Sequence, residues 1–308
     1  MNKFVKTALA LSVLVAGLAF TACDEYVEAP VAPSNETSSN ITTTTPETTV
    51  TTQPNLEFEY PFPFDAEDWT RPAITGSVNL EYNPGALHRQ IGEPLPGEGY
   101  AVMRTSHGDV YLRLFPQYAP LAVENFVTHA RNGYFDGLIF HRVIEDFMIQ
   151  GGDPQGTGMG GESIWSTPFG NEFTPNLQHI RGALSMANSD NPQIGRTQTN
   201  GSQFFVVQNS GLAPQSISQF QQILDNHMDE YYPGLEDMGV RFRDIFPEDF
   251  LRHYIENGGT PHLDFAHTVF GQVFRGMDVV DAIAVVPHEQ TRPIDDVVIE
   301  TIDIRIWE

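Results

Sequence analysis

Between Gly99 and the C-terminus the apolar residues come in short alternating runs broken by turn residues, and this spacing constrains the fold more than any other feature. "YAVMRT" and "VYLRLF" flank "SHGD", which predicts a hairpin. Its second strand sets Tyr111, Arg113 and Phe115 against Val110, Leu112 and Leu114. "GALSMAN", "SQFFVVQ", "HTVFGQVF" and "VVIETIDIRIW" are further strands, the last with Ile302, Ile304 and Ile306 on one face. Two short helices interrupt them. "APLAVENFVTHARNG" carries Leu121, Val123, Phe126 and Val127 as its apolar stripe, with Pro120 in the first turn and Gly133 at the end. "GMDVVDAIAV" precedes the last strand. Many strands with two helices predict a mainly β fold, a closed barrel with helical plugs rather than a parallel α/β sheet.

One stretch does not read as ordinary structure. "FHRVIEDFMIQGGDP", residues 140–154, sets a lone arginine, Arg142, among two strand-like apolar runs. Such an arginine is either paired internally, with Glu145 or Asp146, or aimed at something bound.

The chain of 308 residues has a formal net charge of −24 and only 16 Lys and Arg. Neutralising phosphates needs basic patches, so no nucleic acid is expected as partner. At the start, Lys3 and Lys6 precede the apolar segment "TALALSVLVAGLAF", and residues 1–22 read as a signal peptide. Cys23 follows it and is the one cysteine in the sequence, which rules out an internal disulfide. Its position resembles the bacterial lipoprotein signal, in which the cysteine becomes the lipidated N-terminus. That implies an exported protein held to the extracytoplasmic side of the bacterial cell membrane by a lipid anchor on Cys23. Residues 23–55 are Thr/Ser/Pro-rich and lack the apolar residues to offset their ordering entropy, so a disordered tether is expected. Its reach is on the order of 30 Å. Residues 56–97 are an N-terminal extension in which Pro61 and Pro63 bar a helix. Docking as an arm and remaining mobile are both open for it.

Two further patterns carry no chemistry. "GTGMGG", with Gly156, Gly158 and Gly161, matches the dinucleotide-binding spacing, but "ESIWSTPFGNEF" follows without a helical stripe, so no nucleotide cofactor is expected. The ten histidines show no paired zinc spacing apart from His262 and His267, which lie in a motif of another kind, so no metal is expected.

"FHRVIEDFMIQGGDP", "GALSMANS", "NGSQFFVVQ" and "LDFAHTVFGQVFRGMDVVD" occur in an order that resembles the cyclophilin family of peptidyl-prolyl cis–trans isomerases. The resemblance covers residues 98–308 apart from one insertion. It implies a closed, eight-stranded antiparallel barrel capped by two helices, with the active site on its outer face. It also implies that Arg142 is the catalytic arginine, supported by Gln150, with His141 in the same motif. Phe147, Met148, Phe205 and Leu263 match the residues that line the proline slot, with His267 at its rim. Asn188, flanked by Ala187 and Gln203, matches the residues that hold the extended peptide. His262 stands where many eukaryotic members carry a tryptophan that binds cyclosporin, a departure that bears on the drug rather than on catalysis. The implied partners are proline-containing unfolded or extended polypeptides, with no cofactor, and a monomer is expected. A peptide-binding chaperone or scaffold using the same groove without significant turnover is the alternative; retention of Arg142 favours the enzyme.

The insertion spans residues 214–260. "SISQFQQILDNHMDEYY" and "FPEDFLRHYIENGG" read as helices, with Ile217, Phe220, Ile223 and Leu224 on one stripe and Phe250, Leu251, Tyr254 and Ile255 on the other. It ends just before His262 and Leu263. It therefore either extends the groove towards clients or only decorates the domain.

Overall fold

The computed structural model describes residues 62–188, 198–211, 218 and 245–308. The expected signal segment, Cys23, the expected tether and all but residue 218 of the first helix expected in the insertion lie outside the described residues. Elements run in the order β1 (Ser77–Val78), α1 (Ala86–Ile91), β2 (Gly99–Thr105), β3 (Gly108–Leu114), α2 (Pro120–Arg131), β4 (Arg142–Ile144), β5 (Met148–Gly151), β6 (Phe169–Gly170) and β7 (Glu172–Phe173). They continue with β8 (Ala183–Met186), β9 (Gln198–Asn200), β10 (Phe204–Val207), α3 (Glu248–Asn257), β11 (Val269–Arg275), α4 (Met277–Ala284), β12 (His288–Glu289), β13 (Arg292–Pro293) and β14 (Ile299–Ile306).

Eight strands form one sheet in the order β14-β2-β3-β11-β8-β10-β5-β4, and every pairing in it is antiparallel. The expected closed barrel is corrected to an open sheet: β14 and β4 share no ladder, and only the residues leading into β4 meet the start of β14, through the isolated bridge of Ile139 with Val298 and three backbone hydrogen bonds between 137–140 and 297–299. The reason is local. On the side away from β5, the amide of Val143 in β4 donates to Thr291 O, between β12 and β13, so that small hairpin takes up the edge.

Alternation along the strands sorts their side chains into two apolar clusters. Val143, Ile149, Leu184, Met186, Phe204, Val206 and Phe270 point inwards with Leu112 and Leu114. Helices α2 and α4 seal this side with Leu121, Val123, Phe126, Val127, Val280 and Ile283. Phe126 is at its centre, 5.3–5.6 Å by ring centroid from Phe135, Phe204 and Phe270. The residues one position along, Met148, Phe205, Val207, Ala183 and Val269, form a second cluster on the outer face with Phe115 and Leu177. In β14, Ile302 joins the inner core, Ile304 packs at its margin and Ile306 is exposed at the rim.

Residues 62–97 dock along the domain. Phe62 is buried and stacks on Phe64, and its ring lies so close to Gly99 that a Cβ there would stand 2.3 Å from Cζ. Arg131 pairs with Asp65 at 2.6 Å, and Arg71 with Glu124 at 2.5 Å. Strand β1 adds in parallel to β7. In α1, Gln90 is buried, its amide donating to Gln178 O and Gln272 Oε1. This belt also buries Arg113, which alternation alone sets with Tyr111 on the outer side. Its guanidinium donates to Arg89 O (2.7 Å), Gly92 O (3.1 Å) and Glu98 Oε2 (2.8 Å), and 1% of it is exposed.

Beneath the belt, the buried Glu172 carboxylate accepts the amides of Leu121 (3.1 Å) and Ala122 (3.0 Å) at the start of α2. Those bonds favour the ion, but burial outweighs them and pushes its pKa up to about 7.

Candidate active site

Residues paired directly across antiparallel strands project from the same face. Arg142 on β4 is opposite Gln150 on β5, and Gln150 is opposite Phe205 on β10. Met148 is opposite Ile144 on one side and Val207 on the other. The sheet thus lays a row that is polar at Arg142 and Gln150 and apolar at Phe205 beside a wholly apolar row on its outer face.

The polar side chains are linked by hydrogen bonds. Arg142 Nη1 donates to Gln150 Oε1 (3.2 Å), and Gln150 Nε2 donates to Gln203 Oε1 (2.9 Å). Gln203 Nε2 donates to the carbonyls of Gly158 (3.1 Å) and Gly160 (2.7 Å). The glycine-rich loop therefore anchors the row. Its own amides are occupied: those of Gln155, Thr157 and Gly158 donate to the Asp153 carboxylate at 2.6–2.9 Å. Against its burial, these donors and the Gly160 amide hold Asp153 below the ordinary carboxylate range. The loop is wrapped on a carboxylate, not open to a phosphate.

Among the described residues Arg142 has no carboxylate partner, and its guanidinium carbon lies 5.9 Å from the ring centre of Phe147. Glu145 and Asp146 do not pair with it; the Asp146 carboxylate accepts the Ser210 hydroxyl instead. Half-burial lowers the Arg142 pKa, but an arginine remains a cation.

Phe147, Met148, Phe205 and Leu263 come together in the outer cluster, joined by Ala187. Phe147 and Leu263 stay partly exposed, so the cluster opens to solvent. The His267 ring meets Phe205 edge-on at 5.4 Å, and its Nδ1 lies 3.1 Å from Met186 O. His262 is exposed and stacks on Phe147 at 5.9 Å. Asn188 Nδ2 donates to Ala266 O (2.9 Å) and Asn171 Oδ1 (3.2 Å), and the Ala187 amide donates to Gln203 O. Residues 189–197, which follow this wall, lie outside the described residues.

His141 stands apart from the rest. It is buried, and Gly158 packs against its Nε2 edge; neither ring nitrogen has a hydrogen-bond partner among the described residues. Burial lowers its pKa, which keeps the ring neutral.

One member of the site has no signal in local periodicity. The buried His179 ring stacks at 5.9 Å on Phe205, and its Nδ1 bonds to Asp264 Oδ1 at 2.8 Å. Asp264 lies within the "LDFAH" block, next to Leu263, which is the one sequence cue to this pair.

The arrangement offers a fixed cation beside an apolar cluster that opens to solvent. A family profile described as "Cyclophilin type peptidyl-prolyl cis-trans isomerase/CLD" matches residues 100–304. A protein of Staphylococcus aureus (strain USA300), whose provisional name is peptidyl-prolyl cis-trans isomerase, is 48% identical over 209 residues, 68% of this chain and 92% of that protein. A Staphylococcus saprophyticus protein of the same name is 46% identical over 204 residues, 66% of this chain and 90% of its own. A solved cyclophilin type isomerase of Cryptosporidium parvum aligns with a TM-score of 0.49 and 28% identity, covering 68% of this chain and 98% of that one.

Proposed function

The chain belongs to the cyclophilin-type peptidyl-prolyl cis-trans isomerases, and from that premise we propose that it accelerates X–Pro rotation in extended polypeptides outside the cytoplasm. Conjugation raises the barrier to peptide-bond rotation to about 18–20 kcal/mol. For X–Pro both isomers are populated, and they interconvert unaided over tens to hundreds of seconds. At the twisted transition state conjugation is lost, and the proline nitrogen regains a lone pair. A donor directed at that nitrogen stabilises the twisted state above either planar one.

In this reading Arg142 is that donor. The proline ring enters the slot between Phe147, Met148, Phe205 and Leu263, which brings its nitrogen towards the guanidinium. Gln150, itself braced by Gln203, limits the motion of Arg142, so little reorganisation is needed during rotation. Asn188 and Ala187 border the extended peptide. The carrying observation is the cation itself: Arg142 is half-buried on the slot's face, bonded to Gln150, and without a carboxylate partner among the described residues.

An exchange assay on a proline tetrapeptide tests this. Arg142→Ala is expected to keep the fold and lower kcat/KM about 10²-fold, near 2.7 kcal/mol. A folded variant with near-wild-type turnover removes Arg142 from the mechanism. Peptide binding without turnover by the wild type would mark a scaffold instead.

The place of action follows from the N-terminal sequence, with Cys23 as the lipidated first residue of the mature chain. Cys23→Ser should release the protein from the membrane fraction or block its processing. Mass spectrometry that finds an unmodified mature N-terminus elsewhere refutes the anchor.

A further inference from the structure

The second inserted helix, α3, reaches the slot through one hydroxyl. Phe250 and Tyr254 are fully buried in a small cluster with Ala86 and Ile180. The Tyr254 hydroxyl donates to Asp264 Oδ2 at 2.6 Å. The other oxygen of that carboxylate accepts both the backbone amide of His179 (2.7 Å) and its ring Nδ1 (2.8 Å). The three residues are 0%, 2% and 1% exposed for Tyr254, Asp264 and His179 respectively. His179 stacks under Phe205, its ring meets His267 edge-on at 6.3 Å, and Asp264 directly follows Leu263. One buried carboxylate therefore ties the inserted helix to two walls of the slot.

The return of the chain is shaped for this contact. Gly259 has φ +132°, and a Cβ there would stand 2.5 Å from the Tyr254 ring and 2.6 Å from His179 O. The absence of a side chain at 259 lets Tyr254 lie against the strand-like stretch at 179–180, where Ile180 bridges to Gly259.

We propose that Tyr254 is a positioning residue for the proline slot, so that the insertion sets how tightly the site holds proline. This rests on the isomerase reading of the same slot. A buried carboxylate needs its donors in place. Without the Tyr254 hydroxyl, Asp264 shifts towards its remaining donors and carries Leu263 and His179 with it. The slot grips the ring in planar and twisted states alike, so the loss falls on KM, whereas loss of Arg142 falls on kcat.

The test compares two tyrosines of the same cluster in the full-length chain, with the tetrapeptide Ala-Ala-Pro-Phe as probe. Tyr254→Phe keeps the ring and removes the hydroxyl. Tyr82→Phe removes the bond from Tyr82 to Asp249 (2.6 Å), which anchors the same helix at its first turn. NMR exchange gives kcat and KM, and titration gives Kd without requiring turnover. Tyr254→Phe should raise KM and Kd about three- to tenfold with kcat within about twofold, and Tyr82→Phe should leave all three near wild type. Asp264→Asn, a second cut in the same network, should follow Tyr254→Phe. Equal effects from the two tyrosines, or no effect from Tyr254→Phe, overturn the proposal. If the wild type binds the probe without turning it over, the isomerase reading fails and Kd still decides on Tyr254. If it does neither, both readings fall.

Discussion

Two arginines lie on the outer face of the same sheet, each over a phenylalanine, and they do different things. Arg113 sits 5.5 Å from the ring centre of Phe115, and Arg142 sits 5.9 Å from that of Phe147. The Nη donors of Arg113 go to two carbonyls and the Glu98 carboxylate, beneath the belt of residues 62–97. Arg142 bonds to a neutral amide and stays partly exposed. Residue type and face are equal; what differs, among the described residues, is whether a carboxylate neutralises the charge. A neutralised arginine is a structural clasp, and one held by a neutral partner keeps its field for whatever docks beside it.

The contrast is broken most forcefully at Arg113. Arg113→Ala removes a buried cation with its three bonds and leaves Glu98 only Arg89 and the Leu95 amide, which is expected to cost about 1.5–3 kcal/mol of stability, read as a fall in denaturation midpoint. Whatever fraction stays folded should retain the wild-type turnover. Arg142→Ala should do the reverse, with stability within about 1 kcal/mol of wild type, because no buried charge is left unpaired. If both variants lose stability and turnover together, the distinction between clasp and catalyst is wrong.

A finer cut is Gln203→Ala, which removes the link between the glycine-rich loop and the Arg142–Gln150 pair. About one hydrogen bond's worth of orientation is lost, so kcat should fall about three- to tenfold with the fold intact. An unchanged kcat would mean that Gln150 alone holds the guanidinium.

Glu172 extends the contrast to a buried carboxylate that receives amides rather than a cation. With its pKa raised from 4.5 to about 7, the folded chain binds that proton more tightly than the unfolded chain does. Its contribution is fully present below 4.5 and is lost as pH rises through about 7. Glu172→Gln, neutral throughout, should lack this decline, a difference of a few degrees in Tm between acid and neutral pH. Parallel Tm profiles for the two proteins would show that Glu172 does not titrate there.

The site was more legible in the sequence than its surroundings. Arg142, Gln150, Met148 and Phe205 lie on short strands whose period of two already puts them on one face, and the ordered motifs single out that face. Arg113 obeys the same period, yet its burial depends on Glu98 and on a helix at 86–91 that no alternation announces. The belt itself has no readable period, since a two-residue strand and a six-residue helix are too short to show one. The sheet's opening was hidden for a similar reason: Thr291, which meets β4, lies in a hairpin with two-residue arms. Tyr254 reads as one member of an apolar stripe, and the pattern says nothing of where its hydroxyl goes.

The pairing of β14 with β2 has a consequence for how the domain is made. The last strand in the sequence lies along the first of the sheet, Ile304 opposite Ala101, across roughly 200 residues of intervening chain. During synthesis, β2 emerges early and must wait with one edge unpaired until β14 arrives. Contacts this distant in sequence slow folding, and an unpaired strand edge invites association with other chains. A chain that stops short of Ile299 leaves that edge permanently open, so a ribosome that stalls within the last turn of its message yields an adhesive product rather than a slightly weaker enzyme.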